Sequence, residues 1–428
     1  MNLIKQLSSS SVILGFSFIS RFLLTLALAR NLSSDEMGIY SWVITVFGFM
    51  GILTNFGLDY FLIRKVPEYR NSDIKLIGSV IHHTQRTANI NALVLIIIIF
   101  TMSIILAQLY AGASKYTDEL LIISLALPFA AFSLIFSTSL RGYDFALTAQ
   151  VIESIVQTGF LLLAVFLMFH FYGDLIPAER RTILLAAVFV VSWVVSCGVA
   201  FFHYRKQIKL PDILAPTRDK VREWRAEQSS IVFGIIGWTI LGRSDIFLLA
   251  FLVTPSQVGA YFLCMRLAEL LMFFSTVSFY VWTGKISNLI QLGELGQAQV
   301  IVTKAAQLCI ITTAAITLAA LFYSYQILSF FNESYADNET LFRIAVCIFF
   351  FKGASGLLRP LFYLLKDQDF MAKYNWIMGI AFTILVIIVV PTFGTIGCVI
   401  AFGICEITFI IILALRMQKK FNISILPF

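Results

Sequence analysis

The chain alternates long apolar runs with short polar connections from one end to the other. Each run has about 20 residues or more, the length an α-helix needs to cross the hydrocarbon core of a bilayer. Strands of a membrane barrel would alternate apolar and polar residues, and the runs do not. The pattern therefore predicts an all-α polytopic membrane protein with about twelve transmembrane helices, at 11–29, 39–63, 87–110, 120–140, 148–172, 181–204, 229–253, 260–283, 303–331, 341–365, 371–392 and 395–417.

Composition supports this prediction. Hydrophobic residues make up 59% of the 428 residues and charged residues 13%, whereas an ordinary soluble domain has roughly 45–50% and about 25%. The mean hydropathy is +0.89. The N-terminus could be mistaken for a secretory signal peptide, but Arg21 interrupts its apolar segment, so a retained first span is favoured.

Two similar stretches indicate an internal repeat. LSSDEMGIY (32–40) and VTPSQVGAY (253–261) both begin like helices with a capping box, and Pro255 suits a first helical position. A second pair, LRGYDF (140–145) and LKDQDF (365–370), occupies equivalent places downstream. The chain is therefore predicted to form two six-helix bundles, 1–204 and 229–428, joined by a cytoplasmic linker at 205–228. An even number of spans makes the bundles parallel repeats about a pseudo-twofold axis along the membrane normal.

The distribution of Lys and Arg predicts the orientation. Most of them fall in the N-terminus, 64–86, 141–147, 205–228, 284–302, 366–373 and the C-terminal tail. The opposite set of connections holds only Arg30, Lys115, Arg180 and Arg181. By the positive-inside rule both termini are cytoplasmic, and NESYADNET (332–340) faces outward. The excess of Lys and Arg in the cytoplasmic connections explains the formal charge of +7, so the charge does not indicate a nucleic-acid partner.

Several cations lie inside the predicted spans, where ionisable residues are costly and are candidates for function. Arg343 and Arg359 lie near span ends and can extend to water, whereas Arg21 and Arg243 lie midway along the first span of each half. We expect a solvated cationic cavity rather than ion pairs that only hold helices together. It would bind an anionic cargo, and arginine suits phosphate. The candidate substrate-binding residues are Arg21, Arg243, Arg266, Lys352 and Arg359.

Carboxylates inside the spans are candidates for proton or sodium coupling, or for ion pairs with these cations. They are Asp245, Glu269, Asp59, Glu153 and Glu406, the first four being the assigned set. The six cysteines fall inside spans without C-x-x-C spacing, so neither a zinc site nor structural disulfides are predicted. A P-loop, a zinc motif and a nucleophile triad are also missing from the sequence. The chain is thus predicted to be a transporter without cofactor or metal, not an enzyme.

A family resemblance rests on four motifs: R-x-x-x-x-L-x-L-A-R-x-L-S-x-x-E-x-G-I-Y (21–40), GRSDIFLL (242–249), QVGAY (257–261) and MRLAE (265–269). Their order resembles Wzx-type O-antigen and polysaccharide flippases of the multidrug/oligosaccharidyl-lipid/polysaccharide (MOP) exporter superfamily. The resemblance implies a MATE-like fold with two bundles facing each other across a cavity. It also implies translocation of undecaprenyl-pyrophosphate-linked oligosaccharide from the cytoplasmic to the outer leaflet of the bacterial inner membrane.

Other functions stay open at this point. A multidrug exporter of the same superfamily usually needs an acidic or apolar cavity, and a lipid II flippase commonly has further spans. A membrane glycan polymerase would place a large catalytic loop outside, whereas 110–119, 173–180 and 332–340 are short. The implied partners are a polyprenyl-pyrophosphate-linked glycan, membrane lipids, a polysaccharide polymerase and a chain-length regulator, with no nucleic acid.

Overall fold

The computed structural model describes residues 3–72, 75–109, 114–173, 175–208, 218–292, 294–365 and 367–421. Every regular element in these ranges is helical. The first helices are α1 (Leu3–Asn31), α2 (Ser34–Asn55), α3 (Leu58–Ser72), α4 (Lys75–Leu109), α5 (Ser114–Ser124), α6 (Leu127–Gly142), α7 (Ala146–Val151), α8 (Gln157–Tyr172) and α9 (Ala178–Gln207). A π-helical turn, Ile152–Val156, lies between α7 and α8.

The remaining helices are α10 (Arg218–Leu252), α11 (Pro255–Glu269), α12 (Phe273–Gln291), α13 (Leu295–Phe322), α14 (Ser324–Phe331), α15 (Glu339–Ala354), α16 (Leu358–Leu364) and α17 (Gln368–Phe421). Short 3₁₀ segments, Leu270–Met272 and Glu333–Asn338, separate α11 from α12 and precede α15. Gly394, with φ of 58°, divides α17 into two helices. The predicted all-α membrane fold is confirmed.

Within the described residues, ten stretches are long and apolar enough to cross a membrane. The last, Asp369–Phe421, contains both predicted spans eleven and twelve, on either side of Gly394. Span seven falls on α10, and the side chains at 229–235 lie outside the described set. Span nine was placed too far along the chain, because α13 ends at Phe322 and α14 is a separate short helix.

Both predicted capping boxes are present. At the start of α2 the backbone N–H of Ser33 donates to Glu36 Oε2 at 2.7 Å, and the Glu36 N–H donates back to Ser33 Oγ at 3.2 Å. At the start of α11, the Thr254 N–H donates to Gln257 Oε1 at 3.2 Å. These bonds satisfy backbone donors that a helix start leaves without intrahelical partners, so each apolar run begins at a fixed residue.

The chain divides into two compact units. The N-terminal unit is mainly Ser8–Leu32 and Ile39–Ile236, and the C-terminal unit is mainly Ser33–Gly38 and Gly237–Phe428. The predicted linker, 205–228, is helical at both ends, because α9 extends to Gln207 and α10 begins at Arg218. Its central residues, 209–217, lie outside the described residues, as do parts of the connections at 110–119 and 173–180 and the tail 422–428.

The start of α10 belongs to the core of the N-terminal unit. Trp224 is fully buried and packs near Phe61 and His83, while its Nε1 donates to the hydroxyl of Tyr69 at 3.0 Å. This core cluster otherwise draws mainly on α3, α4, α6 and α9. A segment that the sequence indicates as a polar linker therefore contributes one of the largest buried side chains of the unit.

Candidate functional site

A buried carboxylate in the C-terminal unit binds two cations of the predicted site. Glu406 on α17 is 1% exposed, and it contacts both Arg359 on α16 and Lys352 on α15. The Lys352 Nζ lies 3.3 Å from Glu406 Oε1. Lys352 and Arg359 are on two separate helices, yet both contact the same carboxylate.

The helix that carries these two cations is interrupted between them. The α15 helix ends at Ala354 and α16 begins at Leu358, while Ser275 Oγ donates to the buried carbonyl of Gly353 at 2.7 Å. Gly356 lies so close to Ser275 that a Cβ there would stand 2.3 Å from the Ser275 Cβ. A side chain at position 356 therefore does not fit without movement of the backbone.

Aromatic rings surround the same cations. Lys352 Nζ lies 5.0 Å from the ring centroid of Phe402 and 5.2 Å from that of Phe349. The guanidinium of Arg359 lies 5.0 Å from the centroid of Phe409. Cation–π contacts of this kind are stronger in sites that exclude water. Each cation is thus held between a carboxylate and at least one ring.

A small, partly open crevice lies beside Lys352 and Arg359. Its walls are formed by Met272, Lys352, Ser355, Gly356, Leu358, Arg359, Ile410 and Leu413. The two cations form its charged side, and the Met, Leu and Ile side chains give it an aliphatic side.

A second predicted cation pairs within its own helix. Arg266 Nη1 lies 2.6 Å from Glu269 Oε2, as their three-residue spacing predicts. Glu269 also interacts electrostatically with Lys352 and Arg243. The predicted residues Arg243, Arg266, Lys352 and Glu269 therefore belong to one charged network in the C-terminal unit.

Asp245 lies in the interior and is 5% exposed. Its Oδ2 accepts a 2.8 Å hydrogen bond from the hydroxyl of Tyr261, and its Oδ1 accepts one from the backbone N–H of Ile246. The thiol of Cys398 donates in turn to the Tyr261 oxygen at 3.6 Å. Asp245 also interacts electrostatically with Arg243 and Arg266, so it is connected to the same network.

The carboxylates Asp59 and Glu153 come together in the N-terminal unit. Glu153 is on the π-helical turn, where it pairs with Arg141 and accepts a 2.9 Å hydrogen bond from Ser137 Oγ. Asp59 is in the first turn of α3, and it interacts electrostatically with both Arg141 and Glu153. Single π-helical turns are frequent at functional sites because they redirect side chains.

Arg21 lies on α1 in the N-terminal unit, and its side chain is exposed. Arg243 on α10 is half-buried in the C-terminal unit. Arg343 pairs with Glu339 at 2.7 Å, and its Nε donates to Ser324 Oγ. The predicted cations thus divide between the units, with Arg21 on the first and the other members on the second.

Arg266, Lys352 and Arg359 are each paired with a carboxylate, an arrangement that the sequence analysis treated as the alternative to a cationic cavity. That these residues bind substrate stays a prediction. Sequence reasoning missed Arg141, which was counted as a loop cation, and it did not identify the partners of Glu406. The apolar surroundings of Glu406, a carboxylate in the middle of the last span, were the available signal.

The comparisons with known proteins decide the family. The family model described as "Polysaccharide biosynthesis protein" matches residues 3–284, well over half of the chain. The chain belongs to the polysaccharide biosynthesis protein family. No match is found among the curated proteins.

Solved structures with the same fold are members of transporter families. An inward-facing multidrug resistance MATE family transporter of the MOP superfamily has a TM-score of 0.78 at 13% identity, with 95% of this chain and 96% of that chain covered. Lipid II flippase MurJ, in an inward closed conformation, has a TM-score of 0.77 at 16% identity, with 96% and 87% covered. The MATE multidrug transporter DinF-BH has a TM-score of 0.65 at 16% identity, with 99% and 97% covered.

These similarities confirm the predicted MATE-like fold. This member of the polysaccharide biosynthesis protein family therefore shares its fold with those solved structures. The ten apolar stretches of spanning length among the described residues, together with this fold, support a multi-pass membrane protein.

Proposed function

We propose that this protein is a flippase that moves polyprenyl-pyrophosphate-linked oligosaccharide repeat units from the cytoplasmic to the outer leaflet of the bacterial inner membrane. The observation that carries the proposal is the family match over residues 3–284, combined with a transporter fold. A polysaccharide pathway that uses a transporter needs a cargo that crosses the membrane. An oligosaccharide on a lipid carrier, such as an O-antigen unit for lipopolysaccharide, is such a cargo.

The intramembrane cations support an anionic head group as the recognised part of the cargo. Arg21, Arg243 and Arg266 carry planar guanidinium groups that can donate two parallel hydrogen bonds to a phosphate. A cationic organic drug would be repelled by the same residues. The charge therefore favours a pyrophosphate-linked substrate over the multidrug alternative.

The fold itself does not separate the alternatives. The TM-scores to a multidrug transporter and to a lipid II flippase are 0.78 and 0.77, almost the same. The distinction between oligosaccharide flippase and lipid II flippase therefore rests on the family match, because both cargoes carry a polyprenyl pyrophosphate. We retain lipid II as the second candidate substrate for that chemical reason.

Net transport requires a source of free energy, since a ligand held equally in two states shifts no equilibrium. We assign this role to a proton or sodium gradient, or to removal of product on the outer side. Carboxylates inside the membrane are the groups through which a cation gradient acts. The candidates are Asp245, Glu269, Asp59 and Glu153, each of which interacts with at least one cation in its own unit.

The direct test is flipping by the purified protein in vesicles. A fluorescent polyprenyl-pyrophosphate oligosaccharide is placed in both leaflets, and a membrane-impermeant reagent reports the fraction that reaches the outer one. We expect the protein to accelerate exchange of this lipid above that in empty vesicles. In cells, loss of the protein should cause lipid-linked repeat units to accumulate on the cytoplasmic side.

Two results would refute the proposal. One is that vesicles with folded protein exchange the oligosaccharide lipid no faster than empty vesicles do. The other is transport of a cationic dye in preference to the pyrophosphate lipid, which would favour the multidrug alternative. Faster exchange of lipid II than of the oligosaccharide lipid would identify the second candidate as the substrate.

A further inference from the structure

The two repeated helix starts contact each other through their glycines. Gly38 in α2 and Gly259 in α11 hold the same place in the two motifs, as do Ser34 and Pro255. A Cβ at position 38 would overlap the carbonyl oxygen of Pro255, and a Cβ at position 259 would overlap that of Ser34. Each glycine therefore lies against the first turn of the other motif. Such a reciprocal contact is typical of repeats related by a twofold axis.

This close approach requires glycine at both positions. A Cβ at position 259 would also stand 2.9 Å from the backbone nitrogen of Gly38. Residues without a side chain allow helix backbones to come this close. By contrast, a Cβ at Gly51, on the same α2 helix, would meet no other part of the described chain within 4 Å. The glycines at 38 and 259 thus serve the contact between the two motifs, which gives the repetition of the motif a structural reason.

The segment on the α2 side of this contact, Ser33–Gly38, packs with the C-terminal unit. The residues before and after it, Ser8–Leu32 and Ile39–Ile236, belong to the N-terminal unit. We call Ser33–Gly38 the latch. The chain joins the latch to the N-terminal unit at both ends, whereas non-covalent contacts attach it to the C-terminal unit. A rearrangement of the units therefore either leaves the latch in place or releases it.

Side-chain contacts add to the glycine contact. Ser34 Oγ lies 3.2 Å from Ser334 Oγ in an exposed pair, and Ser334 is on the 3₁₀ segment Glu333–Asn338. Water replaces an exposed hydrogen bond of this kind at little cost in free energy. Met37 is fully buried and lies beside Gly259, but methionine is unbranched and adapts to changed packing. These contacts stabilise the closed latch by a modest amount.

The closed latch leaves a buried carboxylate oxygen without a donor. Glu36 is 9% exposed, and its Oε2 accepts the capping hydrogen bond from Ser33. Its Oε1 is buried and has no hydrogen-bond partner among the described residues. A buried acceptor in this state costs free energy that contact with water would recover. Release of the latch therefore brings a compensating gain, and a small difference between two states is what a reversible contact needs.

We propose that the latch is a releasable contact, which packs on the start of α11 in one state of the transport cycle and leaves it in another. The inference rests on the proposed function, which requires such a cycle. It assigns the repeated motif to the change between states, whereas a purely structural contact would stay closed throughout. In the predicted orientation, with 332–340 outside, the latch acts on the outer side of the membrane.

A disulfide across the latch tests the inference. Ser34→Cys/Ser334→Cys places thiols where two hydroxyl oxygens lie 3.2 Å apart. We expect oxidation to slow exchange of the pyrophosphate oligosaccharide lipid in vesicles by about tenfold or more, because a blocked conformational step stops the cycle, and reduction to restore it. The same protein is compared before and after reduction, so a folding defect does not explain a difference. Oxidised Ser34→Cys alone is the control and should exchange at the wild-type rate.

Distances between spin labels on the same two introduced cysteines report opening without a transport assay. Cys197 and Cys347, the native cysteines that are not buried, are replaced by serine for this measurement. In vesicles we expect a short distance and a second, longer one, with proportions that undecaprenyl pyrophosphate changes. A permanent contact would give the short distance alone under every condition.

Gly38→Ala should favour the longer distance and slow formation of the disulfide, because its methyl group would overlap the Pro255 carbonyl. Gly51→Ala, on the same helix, is the matched control and should leave both measurements unchanged, since the space at position 51 is open. Unfolding midpoints show whether Gly38→Ala stays folded. Gly259→Ala acts from the other side of the contact and gives the same test in a second variant.

Two results would overturn the inference. One is exchange at an unchanged rate by protein whose disulfide has formed in full. The other is a single short distance with and without undecaprenyl pyrophosphate. Failure of the proposed function is a separate result, because wild-type protein would then not accelerate exchange of the oligosaccharide lipid while the spin labels would still report two distances.

Discussion

The hydroxyl of Tyr261 donates a 2.8 Å hydrogen bond to Oδ2 of Asp245, and both side chains are buried in the C-terminal unit. The two residues are on successive helices, α10 and α11. A buried carboxylate requires donors, because burial without hydrogen bonds costs several kcal/mol. Tyr261 and the Ile246 N–H supply one to each carboxylate oxygen.

Removal of the Tyr261 hydroxyl should therefore destabilise the protein. We expect Tyr261→Phe to cost about 1–3 kcal/mol, since it leaves a buried acceptor without its partner. The measurement is the unfolding midpoint of the purified protein in detergent. Tyr325→Phe is the control, because Tyr325 is 56% exposed and should unfold with the wild-type midpoint. Equal midpoints for the two variants would contradict the expectation.

Trp224 should contribute strongly to the stability of the N-terminal unit. Trp224→Ala removes a fully buried indole and its hydrogen bond to Tyr69, so we expect a loss of about 3–5 kcal/mol. Protease sensitivity of the first turns of α10, around Trp224, should rise in parallel. Arg222→Ala, an exposed position on the same turns of α10, should leave both properties unchanged.

Arg21 and Arg243 should be required for transport. We expect Arg21→Ala and Arg243→Ala to reduce export of lipid-linked glycan by at least about tenfold while the protein stays in the membrane, as charge-assisted bonds to phosphate are strong. Lys at either position should restore part of the export, since it keeps the positive charge but lacks the planar guanidinium that donates two parallel hydrogen bonds. Arg343→Ala is the control, because Arg343 pairs with Glu339 near the start of α15 and is not among the candidate substrate-binding residues. Normal export by both alanine variants at normal protein levels would contradict a role in binding.

The topology can be tested with reporter fusions. A reporter that is active only outside the cytoplasm should be active when inserted at 332–340 and inactive at 205–228. A reporter that is active only inside should give the reverse pattern at the same two places. The opposite pattern would overturn the orientation, including the cytoplasmic location of both termini.

Stability should depend on pH through Asp367, in the connection before α17. Partial burial by itself would raise the pKa of this carboxyl, but hydrogen bonds from Lys420 (2.7 Å) and Arg416 (3.2 Å) hold the pKa below its usual value. A folded-state pKa below the unfolded one means stabilisation that is present at neutral pH and is lost as pH falls through the folded pKa. The unfolding midpoint should therefore fall as the pH is lowered through the unfolded-state pKa of about 4 and below, and Asp367→Asn should reduce this dependence. Asp337→Asn is the control, and equal pH dependence in both variants would contradict the assignment.

Much of the fold was predictable because it depends on short stretches of sequence. Apolar runs of spanning length predicted the helices, and the capping boxes at Ser33 and Thr254 predicted where two of the helices begin. A helix in lipid must satisfy its own backbone, so hydropathy alone is informative about its existence. The interruptions inside spans, such as Phe56 and Gly57 with positive φ or the turn at Ser355–Leu357, were not predictable, because packing against other helices stabilises them.

The candidate site divides in the same way. The sequence by itself determined which charged residues lie inside predicted spans, because each of them is flanked by the apolar residues of its own span. Only the tertiary structure decided their partners: Arg359 meets Glu406 across 47 residues of chain, and Arg141 meets Glu153 through a π-helical turn. Long-range pairing depends on how far each helix is rotated about its axis and which helices adjoin it. These quantities are set by side-chain packing over the whole unit, so no local pattern of residues contains them.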